Sequence, residues 1–499
     1  MLGIMTQPLT SQIEHIVVVM FENRSFDNVL GSLYPSSDTF DGLTGSESNP
    51  INPYSPDSGS VHVWQGTSGI ETMIMPFPDP NEDFNDMTQQ LFGCNWASAT
   101  GASTSITPTM DGFVWNYLTA PSLGGVNPSA IDIMQYYAGG SDGNMPVTSA
   151  LAAAYTISDR WFASGPVQTF ANRIFNHCAT PGIRKSGKAY LNDHDYGVDI
   201  AGFGGVDCAS VFSTLDAALP KGKINWKIYY QDEAEVCGLP GGILSALLVK
   251  YVREVFRSSG QQQVVQYNAF ETDVDQDTLP AYSFIEPRYF AASEGPAQSN
   301  HPGNAIEPGT SGNPTAISVC DGEAFLADIY NTLSARPQVF AKTLLVVIYD
   351  EHGGVYDHVP PPAAPSPFAS DVEGFDYSRY GVRVPCLLIN PYVNRGYGVA
   401  YRPPGSGNPF DHTTIIQTVI QQFLPPDDWT TLTNRDAAAP VLVNLIDPGN
   451  TPIPNVTLPS LTCPSPITFT DGPTAAHGPR QKLVRAILKA QKEGDTTTS

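Results

Sequence analysis

The stretch that most constrains the fold is the uninterrupted apolar run at residues 344–348, which leads directly into Tyr-Asp-Glu-His-Gly-Gly. An apolar run without polar alternation is typical of a strand buried on both faces of a sheet. Asp350 and Glu351 follow this strand at once, and Gly353 and Gly354 permit the chain to turn away there. Adjacent carboxylates repel each other in a dry pocket, so the pattern indicates either a cation site or a solvated acidic turn.

Other apolar runs of the same kind alternate with helical patterns along the chain. Strands are predicted at residues 13–20, 224–231, 281–285, 344–348 and 384–390. Helices are predicted after Pro146, from Thr169 onward, and at 242–256, 321–335, 411–424 and 480–492, with Asp321 as a cap. Buried strands that alternate with helices predict a three-layer α/β/α sandwich around a largely parallel sheet.

A long loop-rich segment interrupts this pattern between residues 35 and 145, where Gly, Ser, Thr, Asn and Pro predominate. Some local order is expected around 83–92 and 110–117. Loops of such length in a folded domain are commonly lids or binding loops. We therefore predict one catalytic domain over residues 1–499, with 35–145 as an insertion or lid and 494–499 as a frayed tail.

The charge of the chain restricts its partners. A net charge of −24 argues against nucleic acid and against an anionic bilayer surface, since both require a basic protein face. The sequence contains no apolar run of about 18 residues, so we expect a soluble chain without a transmembrane segment. Its N-terminus lacks the pattern of a signal peptide. Two compartments are therefore compatible with the sequence. The protein is cytoplasmic as written, or it is secreted if a leader was removed.

The seven cysteines are scattered and form no C-x-x-C pair, which is not the spacing of a zinc ribbon. An odd number leaves at least one thiol free in a monomer. The spacing does not determine how the others pair.

Polar side chains appear at three points where strands end or helices begin: Glu22 and Asn23, Thr169, and Asp350 with Glu351. Ligands of parallel α/β sheets bind at the carboxyl ends of the strands, so these groups can converge. Their oxygens suit a divalent cation. A metal-bound hydroxyl at a helix N-terminus is an activated nucleophile facing an anion site. Together the three groups predict phosphoryl transfer through a phospho-threonine, whereas singly Thr169 reads as an N-cap and Asn23 as a turn residue.

These segments resemble the signature blocks of a known family. The three principal blocks are FENRSFDNVLG (21–31), GPVQT-x-x-NR (165–173) and YDEHGGVYDHVPPP (349–362), and two lesser blocks lie at 299–302 and 411–413. They are similar to blocks of the phosphoesterase family, which includes bacterial phospholipases C, plant-type non-specific phospholipases C and an acid phosphatase. The resemblance implies the fold of the alkaline phosphatase superfamily, to which that family belongs.

The resemblance also implies roles for individual residues. One divalent ion, whether calcium, zinc, magnesium or manganese, would be held by Glu22, Asn23, Thr169, Asp350 and Glu351. Thr169 would be the nucleophile, Asn172 would orient its loop, and His301 would contact the phosphate or assist the leaving group. His358 lies in a matching block and is a candidate substrate contact, although a histidine beside a strand end is more often a packed supporting residue. His352 and His412 are read in the same way.

Two departures from the family concern the phosphate-binding residues. Many members carry Asp-Pro-Gly-His after the first strand, whereas this chain has Asp79-Pro80-Asn81-Glu82. A carboxylate repels the dianion of a monoester more than the monoanion of a diester, and Glu82 could instead bind a second cation or a choline-like head group. In addition, the chain has no histidine between His194 and His301.

The sequence therefore predicts a metal-dependent phosphoric ester hydrolase whose substrate is a small phosphate ester or a phospholipid head group. We favour a phospholipase C-type phosphodiesterase over an acid phosphatase, because of Glu82 and the long 35–145 segment. A non-catalytic binding protein and an enzyme acting on sulfate or phosphonate esters are the rivals. Sulfatases use a modified Cys or Ser, and position 169 is neither. The oligomeric state is not determined.

Overall fold

The structure, a computed structural model, describes residues 8–67, 70–99, 106–123, 125–138, 143–197, 204–220, 222–231, 235–236, 239–240, 244–258, 262–289, 295–305, 315–405 and 407–465. The predicted helix at 480–492 and the predicted tail at 494–499 lie outside these residues.

A seven-stranded sheet forms the centre of the fold. Its strands are β1 (His15–Phe21), β2 (Thr156–Ile157), β3 (Trp226–Tyr230), β4 (Val264–Gln266), β5 (Tyr282–Glu286), β6 (Thr343–Tyr349) and β7 (Cys386–Ile389), in the spatial order β4-β3-β5-β1-β6-β7-β2. The first five in this order are parallel, whereas β7 runs antiparallel to both β6 and β2. The predicted, largely parallel sheet is confirmed.

The register of the two central strands aligns the polar groups that follow them. In β1 and β6 every residue is buried, and Phe21 at the end of β1 pairs with Tyr349 at the end of β6. Glu22 and Asp350 are therefore the next residues at the same edge of the sheet. Both leave the sheet at its carboxyl end, where ligands of parallel sheets bind.

Helices cover the two faces of the sheet. Those of eight or more residues are α1 (Phe84–Phe92), α2 (Pro146–Ala154), α3 (Thr169–Cys178), α4 (Val211–Ala218), α5 (Lys250–Arg257), α6 (Asn268–Asp275), α7 (Val319–Ser334) and α8 (Thr413–Phe423). Helix α7 contacts α2 and α6, whereas α8 contacts α3 and α4. On β3, Trp226 packs against Phe212 of α4, and Tyr229 packs against Phe270 of α6. The predicted α/β/α sandwich is confirmed.

Shorter elements connect this framework. Short helices lie at Phe26–Val29, Ile70–Met73, Trp96–Ala99, Phe113–Tyr117, Leu244–Leu248, Pro337–Phe340 and Asn434–Ala437. Single 3-10 turns lie at Pro56–Ser58, Gly93–Asn95, Asp132–Met134, Asp193–Tyr196 and Pro426–Asp428. Two-stranded pairs are Ser48–Pro50 with Ser60–His62, Trp64–Gln65 with Gln135–Tyr136, Glu235–Val236 with Leu239–Pro240, and Asn304–Ala305 with Thr315–Ala316.

The 35–145 segment packs through an apolar cluster of its own. Leu91 and Phe92 of α1 pack with Phe113 and Tyr117 of the following short helix, and Val355 of the loop after β6 joins them. The segment is thus attached to the chain that follows Asp350 and Glu351. Its described helices include both short stretches predicted from the sequence.

Several boundaries differ from the sequence prediction for local reasons. The predicted helix at 242–256 is two helices, because Val249 adopts an extended conformation between them. Helix α7 starts earlier than predicted, and its cap is Ser318 rather than Asp321, since the Ser318 hydroxyl accepts a hydrogen bond from the N–H of Cys320. The short strands β2 and β4 were not predicted.

Two disulfides join cysteines that are distant in sequence, Cys178 with Cys208 and Cys320 with Cys463. Cys94 and Cys386 are free thiols. None of the described helices has the length and apolar character needed to cross a membrane.

Gly353 offers a test of how tightly the turn after β6 is packed. It has φ +63°, and a Cβ there would lie 2.3 Å from the carbonyl oxygen of Asn23. We expect Gly353→Ala to lower the free energy of unfolding of chelator-treated protein by roughly 2–5 kcal/mol, from left-handed strain plus overlap. The control is Gly374→Ala, which has φ +91° with nothing within 4 Å and should lose only about 1–2 kcal/mol. Equal losses in urea denaturation would contradict this packing.

Candidate active site

The polar residues after β1 turn inward rather than toward solvent. Glu22 and Asn23 are fully buried. Asn23 adopts φ +57°, a conformation that asparagine tolerates better than most residues. This turn allows its backbone N–H to donate to Oδ1 of Asp350 at 3.1 Å. The ends of β1 and β6 are therefore joined directly by a hydrogen bond.

Asp350, the residue that follows β6, accepts the following three hydrogen bonds. The donors are the N–H of Asn23, the N–H of Glu351 at 2.8 Å, and Nε of Arg173 at 2.9 Å. The same guanidinium lies 3.8 Å from Oε1 of Glu22 and also donates to the hydroxyl of Tyr289. Arg173 thus balances part of the negative charge of two carboxylates inside the protein.

Thr169 is the first residue of helix α3, and its side chain does not cap that helix. The N-cap position is Gln168, and the N–H of Phe170 donates to Oδ1 of Asp193 at 2.9 Å. The hydroxyl of Thr169 instead donates to Oδ1 of Asn23 at 3.3 Å. The interpretation of Thr169 as an ordinary N-cap is wrong, because Asp193 caps the helix and the hydroxyl faces the strand ends.

Asn172 holds the loop that precedes Thr169. Its amide nitrogen donates to the carbonyl of Val167 at 2.7 Å, and its amide oxygen accepts from the N–H of Gly165 at 3.1 Å. The side chain is fully buried. This arrangement fixes the loop without placing Asn172 among the carboxylates.

Glu82 of the 35–145 segment reaches the same region. Its Oε1 accepts a hydrogen bond from Nδ2 of Asn23 at 2.8 Å, which leaves Oδ1 of Asn23 directed at Thr169. Its Oε2 lies 3.9 Å from Nε2 of His301, and Nδ1 of His301 lies 3.7 Å from Oδ1 of Asp79. The structure therefore brings Glu82 and His301 together and adds Asp79, which the sequence did not single out.

Buried carboxylates dominate the electrostatics of this region. Burial raises the pKa of Glu351 well above its usual value, and the charges of Asp350, Asp193 and Glu22 raise it further. Burial, followed by the charge of Glu351 and that of Asp79, likewise raises the pKa of Glu82, although its hydrogen bond from Asn23 opposes this. Without a cation, these carboxyl groups are therefore harder to ionise than isolated ones.

The predicted ligand set fits a divalent ion in its chemistry. The set consists of carboxylate, amide and hydroxyl oxygens. Among the described residues, Oε1 of Glu351 is buried without a hydrogen-bond partner, while Oε2 accepts from the N–H of Gly353 at 2.6 Å. A buried carboxylate oxygen left in this state is costly unless a cation binds it.

The other predicted histidines have separate contacts. His358 lies between Oδ2 of Asp27 at 2.7 Å and Oδ1 of Asp41 at 3.2 Å. Burial alone would lower its pKa, but the hydrogen bonds to Asp27 and Asp41 raise it to about 10. His358 is therefore a cation held by two carboxylates. Its hydrogen bonds within the described chain do not include Thr169 or Glu82.

His352 and His412 are packed supporting residues, as their sequence context suggested. Nε2 of His412 donates to the backbone carbonyl of Asp350 at 2.7 Å, and His352 is bonded to Gln90 at 2.9 Å. Burial lowers the pKa of both imidazoles. Burial thus favours the neutral form of both imidazoles, and His412 fixes the backbone that carries the Asp350 side chain.

Two contributors were missed by the sequence analysis, Arg173 and Asp193. Arg173 belongs to the quoted 165–173 block and lies one turn of helix after Thr169, so the block itself was a signal. Asp193 caps α3 from a 3-10 turn that begins after a long loop, and no local pattern marks it.

Comparison with known proteins decides the family. Residues 13–424 match the model of the Phosphoesterase family. The chain belongs to this family. It is 32% identical over 440 residues to non-specific phospholipase C1 of Arabidopsis thaliana, covering 86% of this chain and 69% of that protein. It is 27% identical over 482 residues to phospholipase C A of Mycobacterium tuberculosis, covering 90% and 81% respectively. The protein is thus a phosphoric ester hydrolase, as the sequence predicted.

A solved structure of an alkaline phosphatase superfamily protein from Vibrio parahaemolyticus is similar over 60% of this chain and 64% of that one, with 14% identity and a TM-score of 0.29.

The carboxylate cluster predicts a pH-dependent stability for the metal-free protein. Because the pKa of Glu351 lies above 4.5 in the folded state, folding takes up protons. The free energy of unfolding should therefore fall as pH rises above 4.5, by up to about 1.4 kcal/mol per pH unit for each such carboxyl.

Urea denaturation of chelator-treated protein between pH 5 and 8 measures this slope. Glu351→Gln should flatten it, whereas Glu271→Gln, at an exposed position of α6, should leave it unchanged. The same slope in the wild type and in Glu351→Gln would contradict the assignment.

Proposed function

We propose that this protein is a metal-dependent phospholipase C-type phosphodiesterase that acts through a covalent phospho-threonine at Thr169. The observation that carries the proposal is the position of the Thr169 hydroxyl. Thr169, the first residue of α3, is only 2% exposed. Its hydroxyl does not cap the helix but donates to Asn23, which lies beside the carboxylates at the two strand ends. The Phosphoesterase family membership and the phospholipase C relatives support the diester substrate.

Glu22, Asn23, Thr169, Asp350 and Glu351 would hold the divalent ion. When bound, the ion would lower the pKa of the Thr169 hydroxyl and offset the negative charge that develops on the phosphoryl oxygens. Asn23 orients its amide oxygen toward Thr169 because its amide nitrogen is bonded to Glu82. Asn172 and Asp193 hold the Thr169 loop and helix in place. These contacts hold the side chains of Asn23 and Thr169 in place before substrate binds.

The proposed reaction has two displacements at phosphorus. The Thr169 oxygen forms a bond to phosphorus while the bond from phosphorus to the leaving alcohol oxygen breaks, and that oxygen takes up a proton. Water then attacks the phospho-threonine, a bond from its oxygen to phosphorus forms, and the Thr169 oxygen leaves and regains a proton. His301 would lie on the phosphate side and assist binding or departure.

We propose that the 35–145 segment is an insertion in a single catalytic domain and supplies part of the substrate site. Asp79 and Glu82 come from this segment, and Glu82 contacts Asn23. A carboxylate at this place disfavours the dianion of a monoester relative to the monoanion of a diester. This supports a diester over the monoester of an acid phosphatase. His358, held by Asp27 and Asp41, would contact substrate only at its exposed edge.

Thr169→Ala tests the nucleophile. Removal of the attacking oxygen should reduce turnover by at least 1000-fold, on the order expected when a nucleophile is lost, while folding and metal content stay near wild type. The control is Thr214→Ala, at a half-buried position of α4, which should keep wild-type turnover. Retention of more than a few per cent of activity in Thr169→Ala would reject the proposal.

Substrate preference is tested with p-nitrophenyl phosphorylcholine and p-nitrophenyl phosphate, with and without chelator. The diester should be hydrolysed faster, and chelation should abolish its hydrolysis. Preference for the monoester would indicate an acid phosphatase. If chelation reduced neither activity, the proposed dependence on a metal ion would be contradicted.

A further inference from the structure

Asp79, Glu82 and His301 form a cluster of metal-ligand type next to Asn23, a predicted ligand of the first metal site. One potential ligand atom from each of them lies within 4.8 Å of the other two. A cation at roughly 2.0–2.5 Å from each ligand needs ligand atoms roughly 3–4.5 Å apart, so a small contraction would close the site. The three residues come from two separate loops, because Asp79 and Glu82 precede α1 whereas His301 follows β5.

The hydrogen bonding of His301 suits it to bind a metal through one defined nitrogen. Its Nδ1 lies within hydrogen-bond distance of the carbonyl oxygen of Pro302, which can only accept. Nδ1 therefore carries a proton, which leaves Nε2, the nitrogen that faces Oε2 of Glu82 at 3.9 Å, as the atom that can bind a metal. A backbone carbonyl that fixes the imidazole in this way is the usual support of a metal-binding histidine.

The two oxygens of Glu82 have different surroundings. Oε1 is occupied by the amide nitrogen of Asn23 at 2.8 Å, whereas Oε2 points toward His301. Glu82 as a residue is 2% exposed. Glu82 can therefore bind a cation through Oε2 and still orient Asn23 through Oε1.

The backbone is shaped to bring the two loops together. Gly303 has φ +88°, and a Cβ there would lie 2.6 Å from the Cβ of Asp79. Any side chain at this position would overlap Asp79, so glycine permits the two loops to approach this closely.

The balance of charge around the cluster also calls for a cation. Glu22, Asp79, Glu82, Asp193, Asp350 and Glu351 act on one another electrostatically inside the protein. Arg173 is the guanidinium that contacts Asp350 and Glu22. One divalent ion at the first site leaves this group negative, and a phosphate ester would add further negative charge. A second positive charge is needed where substrate phosphate must bind.

We propose that Asp79, Glu82 and His301 bind a second divalent cation, of the kind that accepts one imidazole and two carboxylates, such as Zn²⁺ or Mn²⁺. This cation supplies, next to the substrate phosphate, the positive charge that the Glu82 carboxylate cannot supply. His301 then acts on the phosphate through the cation. Its role in phosphate binding rests on the proposed function, whereas the binding of the ion does not.

The experiment measures Zn²⁺ bound per chain, by elemental analysis after chelator treatment, reloading and dialysis. The wild type should bind two ions. Glu82→Gln, whose amide oxygen can still accept from Asn23, and His301→Gln should each bind one. His194→Ala should still bind two, because the His194 side chain is 54% exposed and lies outside the cluster. Thermal unfolding verifies that each variant is folded. If Glu82→Gln does not fold, His301→Gln tests the site in its place.

Glu351→Gln separates this proposal from the proposed function. Loss of one ion in Glu351→Gln and of the other in His301→Gln would support both sites. If the wild type binds a single ion, and this ion is lost in Glu351→Gln but kept in His301→Gln, the second site is rejected while the proposed function is retained. Two ions unaffected by Glu82→Gln and His301→Gln would also reject it. Saturable binding of choline, lost in Glu82→Gln, in a protein that holds a single Zn²⁺ would overturn it in favour of an organic cation.

Discussion

The buried ion pair between Arg173 and Asp350 is the contact on which the rest of the site depends. It joins helix α3, which starts at Thr169, to the end of strand β6, and the guanidinium also approaches Glu22 at the end of β1. Charges buried in this way must be paired, since removal of one partner costs about 3–5 kcal/mol. Arg173 therefore offsets the repulsion between the carboxylates at the carboxyl ends of two parallel strands. A cation can bind these carboxylates there.

A second constraint comes from Asn23, which connects three parts of the chain. Its N–H bonds Asp350, its amide oxygen accepts from Thr169, and its amide nitrogen bonds Glu82. All of these contacts depend on the left-handed conformation of one residue at the end of β1. The 35–145 segment is thereby tied to the strand ends, and the proposed nucleophile, metal ligands and second cation site share one hydrogen-bond network.

The sequence predicts the parts of this arrangement that follow from local pattern. Apolar runs mark β1 and β6, and the polar residues after them mark the candidate site, because parallel strands end at one edge. The capping of α3 by Asp193 and the meeting of Asp79 with His301 were not predictable in this way. Those contacts join residues far apart in sequence through loops whose paths no periodicity encodes. Strand β2, two residues long, is set by its pairing with β7 rather than by propensity.

The central claim is that Thr169 becomes covalently bonded to phosphorus during turnover. Its most direct test is rapid acid quench of the enzyme with p-nitrophenyl phosphorylcholine, followed by peptide mass spectrometry. The account predicts a phosphorylcholine adduct on Thr169 that forms and decays at rates compatible with turnover. Steady hydrolysis of the diester without any adduct on Thr169, or with the adduct on another residue, would contradict it.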